Sequence, residues 1–320
     1  MTSIPVTADN FVRAESDLML SRLLADTGGL GVWRHYREPA PLDHQPIIRQ
    51  NRDTLYSAAI LDLRRPAVLT LPDAGDRYLS VMVVNQDHYI PRILHLPGRY
   101  ELTREELGTD YVLLGARILV DPGDADDVAE VNRLQDALQL SAVQGSAEFP
   151  DYDEDSRGRI RQVLLQLAQG LPDYRRSFGT ADQVDPVRHL IGTASAWGGL
   201  PEWEAHYVNV NPGQPVGDYR LRMVDPPVDA FWSISIYNAE GFFVPNRWGV
   251  NNLNSITAEQ DVDGSITVNF GAEPAGRPNF LPIMDGWNFL IRLYRPRPEA
   301  LDGTWQPPAI EEVAVDATRS

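Results

Sequence analysis

The chain has 320 residues, 43% of them apolar, which is enough for one large or two medium domains with filled cores. It carries 45 acidic against 28 basic residues, a net charge of -17, and such a surface repels phosphate backbones and anionic lipid headgroups, so neither nucleic acid nor membrane is an expected partner. Cysteine and lysine are both absent, which excludes thiolate nucleophiles, cysteine-held zinc or iron–sulfur, lysine Schiff bases and the P-loop lysine, even though a G+C-rich genome explains arginine in place of lysine without any functional demand.

The opening "MTSIPVTADNFVRAESDLML" lacks a basic stretch followed by an unbroken apolar one, and no later run reaches the length of a spanning helix, so a cytoplasmic protein is expected. From Thr7 to about Asp26, Phe11, Ala14, Leu18, Leu23 and Leu24 recur at helical spacing. Thr7 is the expected cap and Gly28–Gly29 the stop. Between about 46 and 121, short runs rich in Val, Ile, Leu and Tyr are broken by Pro, Gly and Asp, which predicts a β lobe. Leu79–Val84 is apolar on both parities apart from Ser80 and should be a central strand covered on both faces.

Helices follow. Residues 126–142 place Val128, Val131, Leu134 and Leu138 on one stripe, 156–170 does the same with Ile160, Val163, Leu164 and Leu167, and a third helix is expected over 185–197. After Pro215 alternation returns. In "FWSISIYN" Trp232, Ile234 and Ile236 share one face, and in "WNFLIRLY" Trp287, Phe289, Ile291 and Leu293 oppose Asn288, Arg292 and Tyr294, which predicts half-buried sandwich strands. The tail after about Val313 is expected to be disordered.

These elements predict an α+β, mainly β fold. Two β-sandwich, jelly-roll-like lobes are expected at 46–125 and 206–320, with an N-terminal helix and connecting loop in 1–45 and a helical segment at 126–205 between the lobes.

Motifs narrow the chemistry further. There is no G-x-S-x-G and no G-x-G-x-x-G after a strand, so neither a nucleophile elbow nor a Rossmann cofactor site is supported. The histidines His35, His44, His88, His95, His189 and His206 form no metal-binding spacing, and ordinary surface roles are expected for them. What remains is carboxylate, imidazole, phenol and guanidinium. Residues 49–56 supply Arg49 as an anion clamp, Asn51 as an amide, Asp53 as an acid or base and Tyr56 as a phenol. Around the next strand, Arg77 lies at one end and Asn85, Asp87, His88 and Tyr89 at the other, positions from which a rigid sheet can aim reacting groups. Trp33 and Tyr36, beyond the first helix stop, are candidates for a pocket rim. Taken singly, each of these residues fits a structural ion pair or packing role; taken together, clustered ionisable groups flanking a buried strand favour a pocket.

"RQNRDTLYSAAILDL" with "DRYLSVMVVNQDHY" resembles the signature of the domain of unknown function catalogued as 1254. "PPVDAFWSISIYNAEGFFVPN", "NFLPIMDGWNFLIRLYRP" and "LDGTWQPP" resemble its usual C-terminal partner, catalogued as 1214. The family's "NWLP" stands here as Asn279-Phe280-Leu281-Pro282. The resemblance implies two sandwich-like domains with helical insertions and a homo-oligomer, and it marks Asn51, Asp53, Thr54, Tyr56, Arg77 and Tyr78 as signature positions. It implies no reaction.

The expected function is a hydrolase, lyase or isomerase that acts without cofactor or metal on a small hydroxylated or carboxylated substrate. Asp53 or Asp87 is the expected base and His88 or Tyr56 the proton donor, with Arg49, Asn51, Arg77, Tyr89, Trp33 and Tyr36 holding the substrate. A non-catalytic ligand-binding or scaffold protein with structural ion pairs is the alternative, and a metal-dependent enzyme using His88 with carboxylates is a third.

Overall fold

A computed structural model describes residues 3–313, and the tail expected to be disordered lies outside the described residues. The chain forms two compact units. The first is Met1–Arg37, Tyr56–Leu119 and Ala129–Glu202; the second is Glu38–Leu55, Val120–Val128 and Trp203–Ser320. Neither unit is one continuous stretch. The signature segment 49–53, expected to open the first lobe, belongs to the second unit.

The first unit begins with α1 (Phe11–Thr27), which ends where Gly28 turns left-handed at φ 80° and returns its N–H to Leu24 O. The helix starts at Phe11 and not at Thr7, because side chains close a turn ahead of it: Thr7 N–H donates to Asn10 Oδ1 and Asp9 N–H to Thr7 Oγ1. There follow β1 (Arg34–His35), β2 (Thr54–Asp62), β3 (Ala67–Leu71), β4 (Leu79–Asn85), β5 (Arg92–Leu94), β6 (Gly98–Leu102), the single turn α2 (Arg104–Leu107) and β7 (Tyr111–Leu119). One sheet has the order β1-β2-β7-β4-β5, and every residue of β4 is buried, as its doubly apolar pattern predicts.

Next come α3 (Ala125–Asp136), β8 (Gln139–Ser141), α4 (Glu154–Ala168) and α5 (Pro186–Ser195). The helix expected over 126–142 ends early, because Gln139–Ser141 instead pair with Val68–Thr70 to complete the sheet β6-β3-β8. Helices α4 and α5 start at side-chain caps, Asp153 accepting from Ser156 N–H and Asp185 from Val187 and Arg188 N–H. Phe11, Ala14, Leu164, Ile191 and Ala194 form the core shared by α1, α4 and α5. Val163 and Leu167, expected in that stripe, are exposed.

The second unit contains β9 (Ala205–Val210), β10 (Tyr219–Met223), β11 (Trp232–Tyr237), β12 (Asn252–Asn254), β13 (Ile266–Gly271), β14 (Phe280–Pro282), β15 (Asn288–Tyr294), α6 (Pro298–Asp302) and β16 (Glu311–Glu312). Two four-stranded sheets, β12-β11-β15-β9 and β14-β13-β10-β16, enclose one apolar core. Trp232, Ile234, Ile236, Phe289, Ile291 and Leu293 reach it from one sheet, and Leu221, Val268, Phe270 and Leu281 from the other. Each such side chain contributes roughly 1.5–3 kcal/mol of burial. The chain is thus mainly β, built of several antiparallel ladders with an N-terminal helix and a helical stretch before the last sheets. Among the described residues no helix is long and apolar enough to cross a membrane.

Candidate functional site

Strands β11 and β15 depart from expectation in one decisive respect. They alternate as predicted, yet every residue of both is buried, so the polar parity is covered too. Register places Ser233 opposite Asn254 and Arg292, Ser235 opposite Asn252, and Tyr237 opposite Asn288. Cross-strand partners share a face, so these residues lie together on the side of the sheet away from the core, with the apolar Leu290, opposite Ser235, among them.

The cover for that surface within the unit is the segment Arg49–Asp53. The Arg292 guanidinium, 2% exposed, reaches across to it: Nη2 donates to Arg49 O at 2.9 Å, to Gln50 O at 3.0 Å and to the Tyr237 hydroxyl at 2.7 Å, while Nη1 donates to Ser235 Oγ at 2.7 Å. Tyr237 in turn donates to Gln50 O at 2.7 Å. Asn51 builds an Asx turn by accepting from Asp53 N–H at 2.9 Å and donates to the Tyr294 hydroxyl at 3.0 Å. Asp53, fully buried, accepts from Asn252 Nδ2 at 2.7 Å on Oδ1.

Electrostatics follow from this burial. Burial alone pulls the Arg292 pKa down, but Tyr237, Tyr294 and Asp53 outweigh it, so the guanidinium stays charged. Burial pushes the Tyr237 phenol up, with Arg292 opposing, which keeps it protonated. Burial lowers Arg49, whose guanidinium lies 5.6 Å from the Tyr237 ring centre. Five buried atoms of this cluster, Arg49 Nη1, Gln50 Oε1, Asp53 Oδ2, Ser233 Oγ and Asn288 Oδ1, have no hydrogen-bond partner among the described residues.

The remaining candidates belong to the first unit, so no cluster within either unit joins Asp53 to Asp87. Asp87 is part-exposed and held by Arg13, whose Nε lies 2.9 Å from Oδ1. His88, expected at the surface, is fully buried. The left-handed turn at φ 59° carries it inward, where it stacks on Trp197 at 5.3 Å and His189 at 5.5 Å. Gly198 N–H donates to its Nε2 at 2.8 Å, which leaves the proton on Nδ1 to donate to Thr193 Oγ1 at 2.8 Å. Burial, then neighbouring His189, holds the imidazole pKa well below its ordinary value. With both nitrogens engaged, this ring offers no lone pair to a metal, and among the described residues no three His, Asp or Glu side chains group as metal ligands.

His189, also expected at the surface, is buried; Tyr89 stacks on it at 4.7 Å. Tyr56 lies under the Arg117 guanidinium at 5.5 Å. Arg77 donates to Leu119 O at 2.7 Å. Trp33 stacks on His35, and the Tyr36 hydroxyl donates to Asp26. Burial and that carboxylate push the Tyr36 phenol up to about 12.

Arg292, Tyr237, Asn252 and Asn254 are the residues that sequence reasoning left out. The signal lies in "NFLIRLY", where a guanidinium sits mid-strand between apolar neighbours, and in the tyrosines at the same parity, but alternation by itself assigns the polar parity to solvent.

Residues 31–99 match the family described as "Protein of unknown function (DUF1254)", and residues 209–298 match "Protein of unknown function (DUF1214)". Among curated proteins none matches. The fold is similar to that of the VPA0106 protein from Vibrio parahaemolyticus, with a TM-score of 0.73 at 19% identity, over 95% of this chain and 97% of that one. It is also similar to a putative uncharacterized protein from Burkholderia cenocepacia, with a TM-score of 0.51 at 15% identity, over 94% of this chain and 87% of that one. The chain thus carries a match to DUF1254 in its N-terminal half and a match to DUF1214 in its C-terminal half, both domains of unknown function.

Proposed function

We propose that this protein processes a small hydroxylated or carboxylated metabolite by acid–base chemistry, and that the polar face of β11, β12 and β15 beneath Arg49–Asp53 receives it. The observation that carries this reading is the set of five buried, unpartnered polar atoms in that cluster. Each such atom left unmatched costs about 1–3 kcal/mol, so the set calls for a polar guest. Its chemistry is mixed. Arg49 Nη1 suits an anionic oxygen, Gln50 Oε1 and Asn288 Oδ1 accept from hydroxyls, and Asp53 Oδ2 is the oxygen free to take a proton. Tyr237, kept protonated by burial, is the nearby acid once a guest displaces the bond it donates to Gln50 O. In this reading Asp87, His88 and Tyr56 support the first unit instead, because each is already engaged there.

The competing reading is a scaffold or binding protein, favoured by the complete burial of Asp53 and by the bonds with which Arg292 ties the segment to the sheet. The test is a panel of hydroxy and keto acids followed by proton NMR with the wild type and with Asp53→Asn. Turnover of a panel member by the wild type that disappears in an Asp53→Asn protein still folded at the assay temperature supports the enzyme. Turnover that survives the substitution overturns it, and a large fall in melting temperature with no turnover by either protein selects the scaffold.

A further inference from the structure

A second polar feature lies wholly in the first unit. Helices α1 and α4 flank a cleft of about 310 Å³ lined by Glu15, Met19 and Arg22 from α1 and by Arg157, Gly158, Arg161 and Gln162 from α4. On α1 these positions are spaced by four and three, and on α4 they fall one, four and five apart from the first, so each helix presents one stripe to the cleft. The Glu15 carboxylate is buried between two guanidinia, with Arg157 Nη1 at 2.6 Å and Arg161 Nε at 3.2 Å. Arg157 has a second, exposed partner in Glu154 at 3.9 Å, while Arg161 has Glu15 alone and Arg22 has no ion-pair partner among the described residues. Three arginines against one glutamate leave the lining at +3 − 1 = +2, in a chain whose net charge is -17.

Gly158 is the second observation. It sits inside α4, where a Cβ would meet nothing within 4 Å. A glycine there costs the helix roughly 0.5–1 kcal/mol relative to alanine, and no crowding in the structure requires it. Without a side chain at this position, the wall of the cleft is open at the backbone.

We infer that this cleft binds a small dianion, held between the forks of Arg22, Arg157 and Arg161 with its body against Gly158. The volume is at the small end of metabolite pockets, which fits a compact ligand and not a polymer. Carboxylates and phosphates share the required chemistry, since both accept paired guanidinium N–H donors.

Isothermal titration of the full chain with inorganic phosphate and, separately, with malonate tests the inference and tells the two sources apart. The expected result is saturable binding of at least one probe, weakened by added chloride as screening increases. Arg22→Gln, which breaks no ion pair seen in the fold, should weaken binding about tenfold or more, and Gly158→Gln should abolish it by filling the cleft. Absence of saturable binding of both probes by the wild type overturns the inference. So does undiminished affinity in folded Arg22→Gln and Gly158→Gln proteins.

Discussion

Arg292 Nη1 and Asp53 Oδ2 lie 3.8 Å apart with both side chains out of solvent, close enough to feel each other's charge and too far to share a hydrogen bond. The pair is therefore held by its neighbours: Arg292 by two backbone carbonyls, Ser235 and Tyr237, and Asp53 by Asn252. Removing one member strands the other's charge and frees several acceptors at once.

Arg292→Met should accordingly destabilise the protein by about 3–5 kcal/mol, since breaking a buried pair leaves an uncompensated ion. Asp53→Asn should cost less, because the amide oxygen still accepts from Asn252. The double substitution should cost less than the sum of the two, since the lone carboxylate is no longer present. Urea denaturation of the four proteins measures the coupling. Strict additivity would show that the two groups do not interact across their 3.8 Å gap.

Much of the fold was legible because the period of the apolar residues reports the type of element, even where, as in β11 and β15, both parities are buried. The doubly apolar β4 and the alternating β11 and β15 were visible in the sequence, as were α4 and α5. The candidate site was legible only in part. Asp53 and Arg49 announce themselves as a polar cluster, but Arg292 meets Arg49 O across a separation of 243 residues, and periodicity carries no information about which remote segment covers a polar face. The same limit explains His88. Its left-handed turn and its partners Thr193 and Gly198 are tertiary facts, so a histidine after a strand looked like a surface residue.

His88 supplies a pH prediction. Its folded pKa lies well below 6.5, so below that value the unfolded chain binds a proton that the folded chain refuses. The stability it contributes is fully present above about pH 6.5 and is lost as the pH falls toward the folded pKa, by at most about 1.4 kcal/mol per pH unit for one group. His88→Gln should be less stable at neutral pH and show a shallower loss between about pH 6.5 and pH 5. Urea midpoints across that range decide the matter, and equal slopes for the two proteins would mean that His88 titrates alike in both states.

Gly158→Ala should stabilise the chain by roughly 0.5–1 kcal/mol, because alanine removes backbone entropy from the unfolded state and its methyl group enters open space. The contrast is Gly31, at φ 70°, where a Cβ would stand 2.5 Å from Val143 O. Gly31→Ala should be clearly destabilising, through both the left-handed backbone and that clash. Melting curves of the two variants should shift in opposite directions. A fall for Gly158→Ala would show that α4 is tighter around this residue than the fold implies.

Asp17 gives a prediction of opposite pH sense to His88. Its carboxyl is buried on α1 and its pKa is raised, chiefly by burial, although Gln86 Nε2 at 2.6 Å, Arg13 and the Tyr152 hydroxyl at 3.3 Å all pull it down. An acid whose folded pKa is raised favours the folded state while protonated, and that contribution is lost as the pH rises through the folded value. At neutral pH the ionised group is therefore held at a cost that an amide of the same shape would not carry. Asp17→Asn should gain stability relative to the wild type near pH 7, and the gain should shrink as both proteins are moved toward about pH 4, where the wild-type carboxyl takes up its proton. Paired denaturation curves at the two pH values test this. A variant that is less stable at neutral pH would show that the bonds from Gln86 and Tyr152 outweigh the burial of the charge they serve.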